Sequence, residues 1–210
     1  MRRLSFLVLV LVVSYPAEGQ IVRSRFPTQD PLAWVSLGGA FQQAWTVKDG
    51  TTRSTWNFGN AVPWQASLER TINGGTSVGL RGSTGMIPVT YQGPLASSEA
   101  DANVSQLFGT IHVSSGRQFH SVLELSVGTT VYSNFRERGT GVKLGPASPD
   151  ADFSFAFGYG FGYAFSPRFA IDVVQDITTA WHQKDGLNAG DDSSTRIHGT
   201  RLVGRLGLGG

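Results

Sequence analysis

Aromatic and small residues alternate without a break from residue 153 to 165. Phe153, Phe155, Phe157, Tyr159, Phe161, Tyr163 and Phe165 take every second position, with Ser154, Ala156, Gly158, Gly160, Gly162 and Ala164 between them. A period of two puts the aromatics on one face of a β-strand and the small residues on the other, whereas a helix would scatter both around its circumference. The same rhythm, less pure, predicts strands over 34–47, 62–70, 76–86, 103–114, 119–133, 153–165, 168–182 and 195–208. Helical periodicity is hard to find beyond Gln20.

The connections between these segments alternate in length. Residues 48–61, 87–102, 134–152 and 183–194 form long ones; residues 71–75, 115–118 and the pair Ser166-Pro167 form short ones. An up-and-down meander with short turns at one end and long loops at the other is the organisation of a membrane barrel, short turns facing the periplasm. The predicted fold is all-β: a closed up-and-down antiparallel transmembrane β-barrel of about eight strands. Closure is required because strands in lipid leave no water to satisfy an open edge.

Alternation alone does not say which face looks outward, and a soluble lipocalin-like barrel binding an apolar ligand would have the opposite polarity. Lysine decides the point. Exposed strands of soluble sheets are usually guarded by it, yet the three lysines, Lys48, Lys143 and Lys184, all fall in predicted long loops. Seven aromatics from one strand would also overfill an eight-stranded lumen, which only just holds ordinary side chains. The aromatic face of 153–165 is therefore read as facing lipid. Trp34, Phe119, Tyr163, Phe165 and Phe169 are placed at the periplasmic rim, and Trp45, Trp64, Tyr132 and Trp181 near the outer rim, although Tyr132 has lumen-facing parity.

Composition fits this reading. Charged residues are 15% of the chain, against about 25% for soluble proteins, and the net charge is +2, which offers nucleic acid no electrostatic footprint. The chain has no cysteine, so disulfides, thiolate metal sites and cysteine nucleophiles are excluded. The N-terminus has Arg2 and Arg3 before an apolar run over 4–13, then Ala17 and Gly19 before Gln20. This is the layout of an export signal, and the run is shorter than the ~20 residues of a spanning helix. The expected organisation is a cleaved signal peptide at 1–19, a periplasmic lead-in at 20–33 containing Pro27 and Pro31, and a barrel domain at 34–210. That places the protein in the outer membrane of a Gram-negative-type bacterium.

On signal, strand rhythm, loop alternation and aromatic placement, residues 34–208 resemble the small eight-stranded outer-membrane barrels of the OmpX and OmpA transmembrane-domain type. The resemblance carries no residue-specific motif. It implies outer-membrane lipid, lipopolysaccharide and the outer-membrane assembly machinery as partners, and no nucleic acid. Such barrels usually end on a terminal aromatic that aids assembly. This chain ends on Leu208-Gly209-Gly210 instead. A monomer is expected.

Lumen-facing parity gathers Glu69, Arg81, Glu124, Asp172, Asp176, Arg201 and Arg205 into one interior charge network. One antiparallel register would set Asp176 opposite Arg201 and Asp172 opposite Arg205. A paired interior that plugs the barrel is favoured over a narrow pore for small solutes, because an unpaired buried charge is costly and eight strands leave little room for water. His112 and His120 share that parity with Glu124 and Ser126, and polar lining accounts for them without acid–base chemistry. A lipid A-modifying enzyme is the remaining alternative. Lipid A deacylases carry a His-x-Ser-Asn arrangement near the membrane, and here Ser133 and Asn134 match while Val131 stands in place of the histidine. Without a base the serine is not activated. The expectation is a non-enzymatic protein with no catalytic residue, no metal site and no cofactor. Its outer loops, including Arg136, Glu137, Arg138 and Lys143, meet partners. Gly158-Tyr159-Gly160-Phe161-Gly162 is strand, not a phosphate loop, since no helix follows it.

Overall fold

The computed structural model describes residues 30–50, 53–95, 97–144, 149–182 and 193–209. The predicted signal peptide and most of the lead-in lie outside them, as does Lys184. Ten strands follow one another: β1 (Ala33–Gln42), β2 (Trp45–Asp49), β3 (Ser54–Phe58), β4 (Trp64–Asn73), β5 (Thr76–Gln92), β6 (Ser97–Gly116), β7 (Phe119–Glu137), β8 (Asp150–Ser166), β9 (Phe169–His182) and β10 (Ser193–Leu208). From β4 onward each strand pairs antiparallel with the next, and β1 pairs with both β4 and β10. The sheet thus closes into a ring of eight. No backbone edge is left for lipid to meet, as a spanning sheet requires.

Ten strands make an eight-stranded barrel because two are interrupted. β1 and β2 are separated by residues 43–44, and β3 and β4 by residues 59–63. β2 continues along β10, where Gln43 N donates to His198 O and Thr195 Oγ1 to Thr46 O. The two breaks face each other and are stitched together. Ala40 N donates to Pro63 O, Gln42 and Ala61 exchange backbone bonds, and Ala44 N donates to Asn60 Oδ1. Parity reverses across the break at 43–44. Even positions face inward in β1, odd positions in β2. A second reversal follows Asn134 in β7, whose positive φ of 54° accompanies a register shift between β6 and β7 and turns Phe135 inward.

Three two-residue turns, at 74–75, 117–118 and 167–168, close one end. Gly75 sits at φ +89° in the first, a conformation that favours glycine. The opposite end departs from the sequence expectation. Most of the predicted loops 48–61 and 87–102 is strand: the β2–β3 hairpin and the upper halves of β5 and β6, joined through only 93–96. β6 explains why. It has 20 residues, while spanning needs about 9–11. Its outward positions from Val113 through Ile111 to Leu107 are apolar; above them come Ser105, Asn103, Asp101 and Glu99. The lower half therefore lies in lipid and the upper half projects into water.

The face assignment is read directly from exposure. In β8 Phe153, Phe155, Tyr159, Phe161, Tyr163 and Phe165 are exposed, and Asp152, Ser154, Ala156, Gly158 and Gly162 are buried. Leu68, Leu80, Leu107, Leu123, Leu125, Val127, Val173 and Leu202 extend this belt around the barrel. Phe119, Tyr163, Phe165 and Phe169 mark its lower rim, and Phe41, Trp64, Phe153 and Trp181 its upper rim. Three aromatics predicted at the rims point inward instead. Trp34 lies under the Arg205 guanidinium, 4.9 Å from ring centroid to cation. Trp45 is buried because the break at 43–44 reversed its parity, and Tyr132 is fully buried, as its lumen parity indicated.

Candidate functional site: the barrel interior

The interior has two storeys. The lower one, level with the lipid belt, is polar, and Glu124 is its hub. Arg81 Nη1 and Arg201 Nη2 donate to Glu124 Oε2 at 3.0 and 2.5 Å, and His112 Nδ1 bonds Oε1 at 3.0 Å. Arg201 also grips Asp176 through Nε and Nη2, with Arg81 3.6 Å from the same carboxylate. Nearer the short turns, Arg205 donates to Glu69 at 2.6 Å and to His112 Nε2, and lies 3.6 Å from Asp172. Ser67 and Ser77 complete the Glu69 carboxylate. Arg81 lies over the Phe108 ring at 5.2 Å. All seven predicted network residues are buried.

Arginine can only donate, so His112 Nε2 accepts from Arg205 while its Nδ1 meets the Glu124 carboxylate. His120 lies between Asp172 Oδ1 at 2.9 Å and the Gln118 carbonyl at 3.3 Å. Arg81, Arg201 and Arg205 thus interleave with the carboxylates of Glu69, Glu124, Asp172 and Asp176.

The expected register of β9 and β10 is corrected by two residues. Asp176 faces Gly199 and Asp172 faces Val203. An even slip leaves every side chain on its own face, and the arginines reach their carboxylates along the diagonal. Glycines in β8 make the space. A Cβ on Gly162 would lie 2.0 Å from Asp172 Oδ1 and 2.2 Å from His120 Nε2; one on Gly158 would lie 2.7 Å from Asp176 Oδ1. The small face of the alternating strand is thus the floor of the charge network. At mid-barrel a void of about 20 Å³, lined by Gln42, Gln65, Arg81, Asp176 and Arg201, remains. That is room for about one water. A recess of about 490 Å³ beside Arg117, His120 and Arg205 opens at the turn end.

Above this lies a storey that the sequence reading did not foresee. His182 Nδ1 bonds Asp152 at 2.6 Å, and Ser154 donates to Thr130. Over them Trp45, Val47, Phe58, Ile87, Val89, Val104, Tyr132 and Phe135 form an apolar core. Trp45 stacks on Phe58 with centroids 4.8 Å apart, and Trp56 packs edge-on to Phe135 at 5.2 Å. Among the described residues, Trp45 Nε1, Tyr132 Oη and His182 Nε2 are buried here without a partner at hydrogen-bond geometry. Alternation of Ala100, Ala102 and Val104 and of Ser54, Trp56 and Phe58 was the available signal. Ser133 faces outward beside Asn103, while His112, His120 and His182 face the interior.

A closed eight-stranded ring with an apolar outer belt, aromatics at both rims and an ion-paired interior is a membrane-spanning β-barrel, and its architecture is that of the small outer-membrane barrels. No family model matches the sequence, and no curated protein matches it. Among solved structures the chain is similar to Neisserial surface protein A (NspA), with a TM-score of 0.57 and 12% identity over 86% of this chain and 99% of that one. It is also similar to the outer membrane protein OprG from Pseudomonas aeruginosa, with a TM-score of 0.50 and 11% identity over 85% and 95%. At these identities the likeness is one of fold.

Proposed function

We propose that this protein is a non-enzymatic outer-membrane barrel with a closed interior, whose projecting end makes contacts at the cell surface. The observation that carries the reading is how fully the interior is filled: a paired charge network below, an aromatic core above, and about 20 Å³ between them. A pore needs a continuous polar path, and the apolar storey interrupts it. The lipid A-modifying alternative has no support in the surroundings of Ser133, where no histidine stands beside it among the described residues. Export through a cleaved signal at 1–19 and insertion by the outer-membrane assembly machinery belong to the same reading, with Leu208 as the last belt residue.

Planar-bilayer recording on the refolded chain tests it. No stable conductance step is expected at moderate voltage, and a large, long-lived open level would refute the closed interior. Cell fractionation tests location: a membrane band whose gel mobility shifts on boiling is expected, and recovery in the soluble periplasm would refute it.

A further inference from the structure

The outward face is not uniform around the ring. Over β1, β10 and β9 the belt opens into an apolar groove of about 750 Å³, floored by Gly39 and Gly204 and walled by Phe41, Trp64, Leu202 and Phe169. That volume lies in the range of sites that hold small molecules. Packing does not require these two glycines. A Cβ on Gly39 would make an ordinary contact at 3.5 Å with Val62, and one on Gly204 would meet nothing closer than 3.8 Å. Gly38, next in line, would strike the Leu202 carbonyl at 2.1 Å. The groove is thus an opening that larger residues could close.

Charge is arranged at one end of it. Thr200 lines the groove. His198 and Arg196 are the next outward residues up β10, each step about 7 Å, and both are exposed, as is Lys48 on neighbouring β2. Neither Arg196 nor Lys48 makes an ion pair among the described residues. The described outward positions of β1, β2, β9 and β10 hold no carboxylate. The opposite wall differs: Arg138 is bound to Asp101 at 2.5 Å and lies 3.7 Å from Glu99. Two exposed cations with no ion-pair partner among the described residues therefore stand above the groove, at the rim remote from the short turns.

We propose that this groove binds one phosphorylated lipid of the outer leaflet, the lipid A portion of lipopolysaccharide. An acyl chain lies over Gly39 and Gly204, and a phosphate meets Arg196 and Lys48. Acyl burial supplies affinity in proportion to area, and the cations select an anionic headgroup at the outer surface. This rests on the outer-membrane reading proposed above. A failure of that reading would show in fractionation and boiling shift, which the lipid measurement does not use.

Native mass spectrometry of the refolded full chain in detergent, with bisphosphorylated lipid A added, is the test. One retained lipid A per barrel is expected. Combined Arg196→Gln and Lys48→Gln should weaken retention about thirty-fold, from two charges near an anionic head. Gly204→Leu should weaken it about tenfold by filling the groove, with Gly39→Leu as the second groove variant if the first does not give a heat-modifiable band. Dephosphorylated lipid A should bind wild type no better than lipid A binds the charge variant. Equal retention by wild type and both groove variants would overturn the proposal. So would equal retention of phosphatidylglycerol, which would make the site a general lipid contact, or a dimer peak lost in Gly204→Leu, which would assign the groove to a second copy of the chain.

Discussion

Glu124 offers the sharpest probe of the interior. Its carboxylate accepts from Arg81, Arg201 and His112 within 3.0 Å. Glu124→Gln keeps the volume and one carbonyl acceptor but removes a charge. Arg81 and Arg201 would then share Asp176 alone. Removing one partner of a buried ion pair typically costs about 3–5 kcal/mol. With a denaturant slope near 2 kcal/mol per molar, that lowers a urea midpoint by roughly 2 M. Equilibrium unfolding from lipid vesicles, read by gel mobility and tryptophan fluorescence, measures it. Adding Arg81→Met removes one of the two arginines left without Glu124 and keeps an apolar stem against Phe108, so the double variant should recover part of the loss, with a coupling of about 1–3 kcal/mol. A Glu124→Gln midpoint within about 0.3 M of wild type, or a double variant no better than the sum of the singles, would refute the account of an ion-paired plug.

Three further outcomes follow from the same structure. Gly162→Ala forces a methyl against Asp172 and His120 and should destabilise the barrel by about 1–3 kcal/mol in the same unfolding assay, whereas Gly204→Ala should be nearly neutral. Trp45→Ala removes half of the stacked pair in the outer storey and should cost about 3–5 kcal/mol, with loss of near-ultraviolet circular dichroism; an unchanged midpoint would show that storey to be loose. Leu123→Arg places a charge midway along the apolar outward run of β7, between Phe119 and Val127, and should cost about 2–4 kcal/mol in vesicle unfolding. Glu99→Arg, above the belt, should cost nothing measurable there.

The legible part of the fold was the part governed by local pattern. Alternation along 153–165 and 119–133 set faces correctly because a pleat repeats every two residues wherever it is unbroken. Trp45 and Phe135 escaped that rule, since each follows a local break: the gap stitched between Ala40–Ala44 and Asn60–Pro63, and the positive φ at Asn134. The upper halves of β5 and β6 fell within the predicted connection 87–102, where Pro88, Gly93 and Pro94 interrupt the alternation. Pro88, however, stands opposite the β3–β4 gap, with its carbonyl taking the Gly59 N–H. The network residues were identifiable from parity, which survives an even slip. Their partners were not, because Arg205 meets Glu69 across the closure of the ring, and closure register depends on the tilt of all eight strands together.

The central claim is that the aromatic face of β8 looks at lipid while its small face lines a closed interior. The chain has no cysteine, so single cysteines at 154, 155, 156, 157, 159, 161 and 163, none of them a glycine position, can each carry a nitroxide without background. Collision of the label with oxygen and with a water-soluble nickel chelate, measured by electron paramagnetic resonance in vesicles, separates lipid from water. Residues 155, 157, 159, 161 and 163 should be open to oxygen and closed to nickel, and 154 and 156 closed to both. Nickel access at the odd positions, or no alternation, would contradict the account.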